Sequence, residues 1–283
     1  AAARAVELGK QPVVLEKTAI LGGAGNFPEG SLGLGTKYQK EHGITWDIQK
    51  NIDRFLDFNH YRTNPAVIRQ LISRSGETID WVVDKGVEIR GIRTLWPQGE
   101  SYNCWHLFKG GASAVVAKLS TQVKNKGGQI SMNTPAQKLI TKDGQVVGVE
   151  ATNSKTGEKV IVNAKKVILA TGGFAANKGM IEKYVTDSSD LSVSEPIRLR
   201  SAIGDGRTGD GINMAIRVGA STADMENVVG NAPYLPHEPL INQFNGDTYL
   251  KHGRCALAQP WLWVNRDGER FYNESRGSLF TDV

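Results

Sequence analysis

The chain has 283 residues, 40% of them hydrophobic and 22% charged, with a net charge of +5. That profile belongs to a globular protein of one large domain or one and a half ordinary ones, and nothing approaches the run of about eighteen apolar residues that writes a transmembrane helix. The lysines and arginines are scattered, with no basic stripe interleaved with aromatics, which argues against a nucleic-acid binder.

Helix formers fill residues 1–8, and Gly9 closes them. The helix opens without an N-cap, so the expectation is that its beginning lies upstream of Ala1. Residues 13–16 (VVLE) read as a short buried strand of the parallel kind, and residues 21–35 as a glycine-rich loop. Helical spacing of apolar residues follows over 45–61 and over 64–85, the second with Asn64 as N-cap and Pro65 in its first turn. A helix over residues 111–125 leads to a strand at 129–131. Residues 136–170 predict a meander of short strands, punctuated by Asp143 with Gly144 and by Thr156 with Gly157. It closes on the apolar strand 167–170 (VILA), which runs into Thr171, Gly172 and Gly173. A helix over 210–219 and a strand-like stretch at 221–225 come next, and after Val228 prolines and aromatics mark a change of domain.

Five motifs carry chemistry. The strand at 13–16 ends in Glu16, the place where a dinucleotide-binding βαβ unit keeps the acid that binds a ribose, about twenty residues past its glycine fingerprint. Counting back puts that fingerprint upstream of Ala1; a solvated strand end is the plain alternative. Residues 21–33 (LGGAGNFPEGSLG) follow directly, and Gly22, Gly23, Asn26, Gly30 and Gly33 allow backbone amides to crowd around a pyrophosphate, unless this is a plain surface loop. In VILATGGF the strand ends in Ala170, Thr171, Gly172 and Gly173, which lets the backbone lie against an adenosine. Thr208, Gly209 and Asp210, from TGDG, open a helix whose amino end can face the cofactor. The fifth motif, VNRDGERFYNE at residues 264–274, is a hairpin turning at Asp267 and Gly268.

Their order and spacing resemble the FAD-dependent superfamily of fumarate reductase, urocanate reductase and 3-ketosteroid dehydrogenase, over residues 1–274. The resemblance implies an α/β fold: a Rossmann-like FAD-binding domain with a β-meander insertion, residues 1–225, lacking its first strand and glycine fingerprint. Residues 226–283 would begin an α+β capping (substrate) domain. It implies FAD as cofactor, with Lys17 beside Glu16, Gly110 and Gly111 next to the isoalloxazine, and Ala136 on the same cofactor path. It implies an oxidoreductase acting on CH–CH groups, which reduces or desaturates a carbon–carbon bond conjugated to a carbonyl. The partners would be a small unsaturated acid or enone and an electron-donor domain or protein. A ketosteroid-type dehydrogenase, and a catalytically silent scaffold within a larger assembly, are the alternatives.

The histidine, glutamate and arginine of the fumarate reductases fall at Asn231, Arg254 and Ser278, so none of the three is kept. Arg254, with Tyr249 or Tyr272, is the expected source of the electrophilic or proton-donating function, because a guanidinium fork suits a carboxylate or carbonyl; a surface arginine paired with Glu269 or Glu274 is the plain alternative. His106 is the third catalytic candidate, weighed against a structural histidine. The two cysteines, Cys104 and Cys255, fit neither a disulfide framework nor a metal site and point to a reducing compartment. The expectation is therefore cytoplasmic, with export as the alternative. Without the phosphate-binding loop and the family's closing C-terminal segment, residues 1–283 alone are expected to hold FAD weakly or not at all.

Overall fold

The computed structural model describes residues 1–94, 102–185 and 206–226, together with 262, 264 and 267–270. The chain opens with helix α1 (Ala2–Glu7) and strand β1 (Val13–Leu15). Gly9, at φ +68°, ends α1, and Lys10 N–H reaches back to the Ala5 carbonyl at 2.9 Å, the long bond of a Schellman cap. Strand β1 runs parallel to β5 (Gln129–Ser131), register Val13 to Gln129. Helix α6 (Gly111–Asn125) leads into β5, packing against it and against α1. This parallel pair with crossing helices is the Rossmann-like part of a mixed α/β fold.

A second sheet is antiparallel, in the order β2 (Gly30–Leu32), β4 (Asn103–Phe108), β3 (Ile89–Thr94). Strand β4 alternates with period two, so Cys104, His106 and Phe108 are buried on one face. Against the sheet lie α3 (Ile48–Phe58), α4 (Pro65–Ser73) and α5 (Ser75–Val83), preceded by the short α2 (Lys37–Glu41). Leu34, Ile52, Leu56, Ile72 and Cys104 form one core cluster; Ile79, Val82, Val87 and Phe108 form another.

The helix expected over 64–85 is two helices. Arg74 leaves helical geometry at φ −103°, ψ 1°. Ser75 then donates to the Ile72 carbonyl at 2.7 Å and accepts from Leu34 N–H at 3.0 Å. A Cβ on Gly76 would stand 2.1 Å from the Leu34 carbonyl oxygen, so the second helix can lie this close only because residue 76 is glycine. The break buys contact with the loop after β2 at the cost of helical continuity.

The meander is present as β6 (Ala136–Lys142), β7 (Gln145–Thr152) and β8 (Lys159–Asn163). Asp143 and Gly144 both take positive φ, as a type I′ hairpin turn requires. The strand expected at 167–170 is not formed: these residues take no regular structure, and Ile168 is 70% exposed. An apolar run becomes a strand only where a neighbouring backbone pairs with it, and none of the described strands does so here. Residues 221–225 are likewise irregular. The remaining helices are α7 (Lys178–Tyr184) and α8 (Asp210–Arg217), and an isolated antiparallel bridge, Val264 to Arg270, lies at the hairpin expected around Gly268. The boundary expected near 226 falls at the edge of the described residues.

Candidate cofactor site

The exit of β1 is fixed by its own turn. Glu16 N–H extends the ladder to the Ser131 carbonyl at 2.9 Å, and its Oε1 accepts from Thr18 N–H at 2.8 Å, with the Thr18 hydroxyl 3.0 Å away. The chain leaving β5 runs alongside: Asn133 N–H donates to the Thr18 carbonyl at 2.9 Å and Thr134 N–H to the Glu16 carbonyl at 2.8 Å. That pairing sets Thr134 against the strand-end acid two residues before β6 begins at Ala136.

Lys17 links this exit to the far end of the sequence. Its ammonium donates to Thr208 Oγ1 at 2.6 Å, Asp210 Oδ2 at 2.8 Å and the Gly206 carbonyl at 3.3 Å. Thr208 in turn donates to Asp210 Oδ1 at 2.6 Å. Partial burial works to raise the Asp210 carboxyl, but the bonds from Lys17 and Thr208 outweigh it and hold it below the usual carboxylate range.

The two glycine segments around ATGG and TGDG dock onto each other. Gly209 N–H donates to the Gly173 carbonyl at 3.1 Å, Ala176 N–H to the Arg207 carbonyl at 2.9 Å, and the Asn177 side-chain amide to the Thr208 carbonyl at 2.8 Å. A Cβ on Gly211 would lie 2.1 Å from Thr171 Oγ1, and one on Gly209 only 2.4 Å from Met180 Sδ. Those glycines are spacers between protein parts. Gly172 and Gly173 differ, because nothing lies within 4 Å of where their Cβ atoms would stand.

The loop after Glu16 makes a tight turn at residues 23–26. Gly22 and Gly23 take φ +101° and +46°, Gly25 N–H donates to the Gly22 carbonyl at 2.7 Å, and Asn26 folds back to donate to the Leu21 carbonyl at 2.7 Å. Asn26 thus shapes the loop from inside. Gly23 and Gly25 have open space where a side chain would be. The start of α6 leans on the loop, with Ala112 N–H bonded to the Pro28 carbonyl at 2.8 Å; Gly110 and Gly111, at φ +82° and +67°, form that entry. Gly30 and Gly33 sit against β4 instead: a Cβ on Gly30 would be 2.0 Å from the His106 carbonyl oxygen, and one on Gly33 would be 2.7 Å from an Ile79 carbon. Protein fills the space those two glycines leave.

His106 is fully buried, with Nε2 2.8 Å from the Thr36 hydroxyl and Nδ1 3.1 Å from the Cys104 carbonyl oxygen. Both ring nitrogens are engaged inside the protein, and burial pushes the imidazole below its ordinary pKa, against the pull of that carbonyl and of Asp80. The geometry is that of the structural histidine weighed against the catalytic one. Arg254, Tyr249 and Tyr272 lie outside the described residues.

The structure therefore brings Glu16, Lys17, Ala136, Thr171 and the Thr208–Asp210 stretch to one end of the parallel pair, with the loop of Gly22 and Gly23 starting a few residues on. A flavin dinucleotide asks for N–H groups at its pyrophosphate and for acceptors at its hydroxyls. Bare glycine backbone at residues 23, 172 and 173 and the two carboxylates, Glu16 and Asp210, fit those demands. Sequence reasoning missed the tie between Lys17 and Asp210; the one cue was opposite charge in two motifs far apart along the chain.

Fold and site together define a dinucleotide-binding flavoprotein domain. The chain belongs to the FAD binding domain family, which it matches over residues 1–282, and FAD is its cofactor. It is 30% identical over 279 residues to the vinyl phenol reductase of Lactiplantibacillus plantarum, which covers 97% of this chain and 54% of that protein. It is 26% identical over 280 residues to the NADH:fumarate oxidoreductase of Klebsiella pneumoniae, covering 97% and 28%. The fold is similar to that of an open flavocytochrome c3 fumarate reductase, with a TM-score of 0.68 at 24% identity over 82% of this chain and 40% of that one. The chain thus spans about half or less of the length of these curated relatives. Among the described residues no helix is long and apolar enough to cross a membrane.

Proposed function

We propose that this chain is the FAD-holding part of an oxidoreductase that reduces a carbon–carbon double bond in conjugation with a carbonyl or aromatic group. The observation that carries the reading is the convergence of Glu16, Lys17, Thr171 and Asp210 at one end of the β1–β5 pair. The names of the relatives, vinyl phenol and fumarate reductases, support the substrate class, since both compounds hold a conjugated double bond. When bound, FAD supplies hydride transfer. The chain's own residues bind and orient it. Glu16 and Asp210 accept from hydroxyl groups, the amides of Gly22, Gly23 and Ala24 and of residues 171–173 face the pyrophosphate and adenosine, and Gly110 and Gly111 shape the entry to α6 beside the loop. Arg254, with Tyr249 or Tyr272, is proposed to hold the substrate's polar group and supply the proton. The reducing equivalents come from an electron-donor domain or protein, and the compartment is cytoplasmic in this reading.

The test is anaerobic single-turnover oxidation of the reduced flavin in the full-length protein, with conjugated enoates and vinyl phenols as oxidants. At least one should reoxidise the flavin far faster than its saturated analogue does, and Arg254→Ala should slow that step on the order of a hundredfold, the scale of lost acid–base assistance. If no conjugated alkene oxidises the bound flavin, the reading fails. If Arg254→Ala is as fast as the parent, the proton comes from elsewhere.

A further inference from the structure

Lys17 immediately follows the strand-end acid, where a lysine would be expected to reach for a phosphate. Its geometry points elsewhere. The ammonium has three hydrogens and, in this structure, three oxygens within reach, at Thr208, Asp210 and Gly206. To touch an anionic cofactor it would have to give up one of them. The partners all belong to the segment that enters α8, and Asp210 is the first residue of that helix. Thr208 accepts from Lys17 and donates to Asp210, so the two oxygens of the Asp210 carboxylate are gripped separately, one by the ammonium and one by the hydroxyl. A carboxylate has about four acceptor positions, and these contacts use two of them. Its orientation is set while acceptor capacity remains for a hydroxyl-bearing ligand. The pair is half-exposed, at 35% for Lys17 and 39% for Asp210, so its worth as a free-standing ion pair is small. What it contributes is position.

We propose that Lys17 is a positioning residue of the cofactor site: it contacts FAD only through Asp210, whose carboxylate it aims at a cofactor hydroxyl while pinning the start of α8 to the exit of β1. The proposal rests on the reading above that Asp210 faces FAD. The ammonium also cancels the carboxylate charge, which would otherwise stand unneutralised near an anionic pyrophosphate. Thr208 is the second member of the device, and Gly206 the backbone stop that keeps the lysine from swinging outward.

A double-mutant cycle in the full-length protein tests it, with FAD titrated into apoprotein and followed by quenching of flavin fluorescence, and with the visible circular dichroism of the bound flavin recorded. Asp210→Asn should weaken FAD, and Lys17→Met should weaken it about tenfold, the scale of one charge-assisted hydrogen bond. In the Asp210→Asn background Lys17→Met should then have little further effect, because the lysine acts through the carboxylate. The flavin circular dichroism should change alike in both single variants, which a general loss of stability would not produce. Lys17→Gln, which keeps a donor without the charge, gives the same readouts should Lys17→Met not fold. Equal weakening by Lys17→Met in both backgrounds overturns the proposal, because the lysine then touches the cofactor itself. An unchanged affinity in Lys17→Met beside a weakened Asp210→Asn overturns it alone. If neither variant changes FAD binding, Asp210 does not face the cofactor, and the proposal falls with that reading.

Discussion

At the residue scale His106 is held from both sides of its ring. It stands in β4 with no exposure, bonded to Thr36 and to the Cys104 carbonyl. Thr36 also caps α2, in a capping box in which Gln39 Oε1 accepts from Gly35 and Thr36 N–H at 2.8 and 3.1 Å. One hydroxyl therefore serves a helix start and a buried ring. Thr36→Val removes the cap and strands a buried nitrogen, a combined cost of roughly 2–4 kcal/mol in chemical denaturation. The histidine also sets a pH dependence. Its native pKa is lowered from 6.5 by burial. The neutral ring's contribution is therefore complete above about pH 6.5 and lost as the pH falls towards the native value, because the unfolded chain then takes up the proton first. Unfolding midpoints measured from about pH 8 to 5 should decline in the acid half of that range. A flat profile would mean that the ring is not held neutral.

At the element scale the two glycine segments do different work, although they read alike in the sequence. Gly211 opens α8 where Thr171 crosses it, and a side chain there meets Thr171 Oγ1 at 2.1 Å. Gly211→Ala should destabilise the apoprotein by roughly 1–3 kcal/mol, the usual cost of overpacking. Gly173→Ala meets nothing within 4 Å. It should leave the melting temperature of the apoprotein unchanged while weakening FAD, because a methyl group then occupies space proposed for the cofactor. Thermal melts of the two apoproteins beside FAD titrations separate packing from cradle, and an unaltered FAD affinity in Gly173→Ala would remove that residue from the site. The ends of α6 and β5 were legible in the sequence: the helix read over 111–125 and the strand read at 129–131 are the observed spans. The split of residues 64–85 into α4 and α5 was not. It is decided by Ser75 and Gly76 meeting Leu34, a contact 41 residues apart for Ser75.

At the scale of the whole molecule, Glu7 joins three helices. Its carboxylate accepts from Arg4 at 2.9 Å, from the Trp81 indole at 3.0 Å and from the Gln122 amide at 2.9 Å, and it pairs with Lys85. The end of α1, the α5 region and α6 are thus fastened by one acid. The bond from Lys85 first, then those from Arg4, Trp81 and Gln122, hold its carboxyl far below the ordinary value of 4.5. A lowered native pKa gives stability that is present above the unfolded value and lost as the pH falls below it. Glu7→Gln should therefore melt lower than the parent at neutral pH and lose less on acidification below about pH 4.5, so that the two melting curves converge. Parallel curves would show that Glu7 is not the acid-sensitive tie.

Read along the chain, local chemistry determines the order of elements and the motif residues. Alternating and helical periodicity, Asn64 before Pro65, Asp143 with Gly144, and the glycine runs all act over a few neighbours, and such signals survive in a single sequence. The FAD family was legible because its glycine-rich motifs stand in a fixed order with Glu16 and the 264–274 hairpin, all readable from the residues alone. Tertiary structure alone decided which glycines face open space and which face protein, that His106 is locked between Thr36 and a carbonyl, and that residues 167–170 do not pair as a strand. It also joined Lys17 to Asp210 across 193 positions of sequence. Each of these depends on what the fold brings within a few ångströms from far along the chain, and no local pattern encodes that distance.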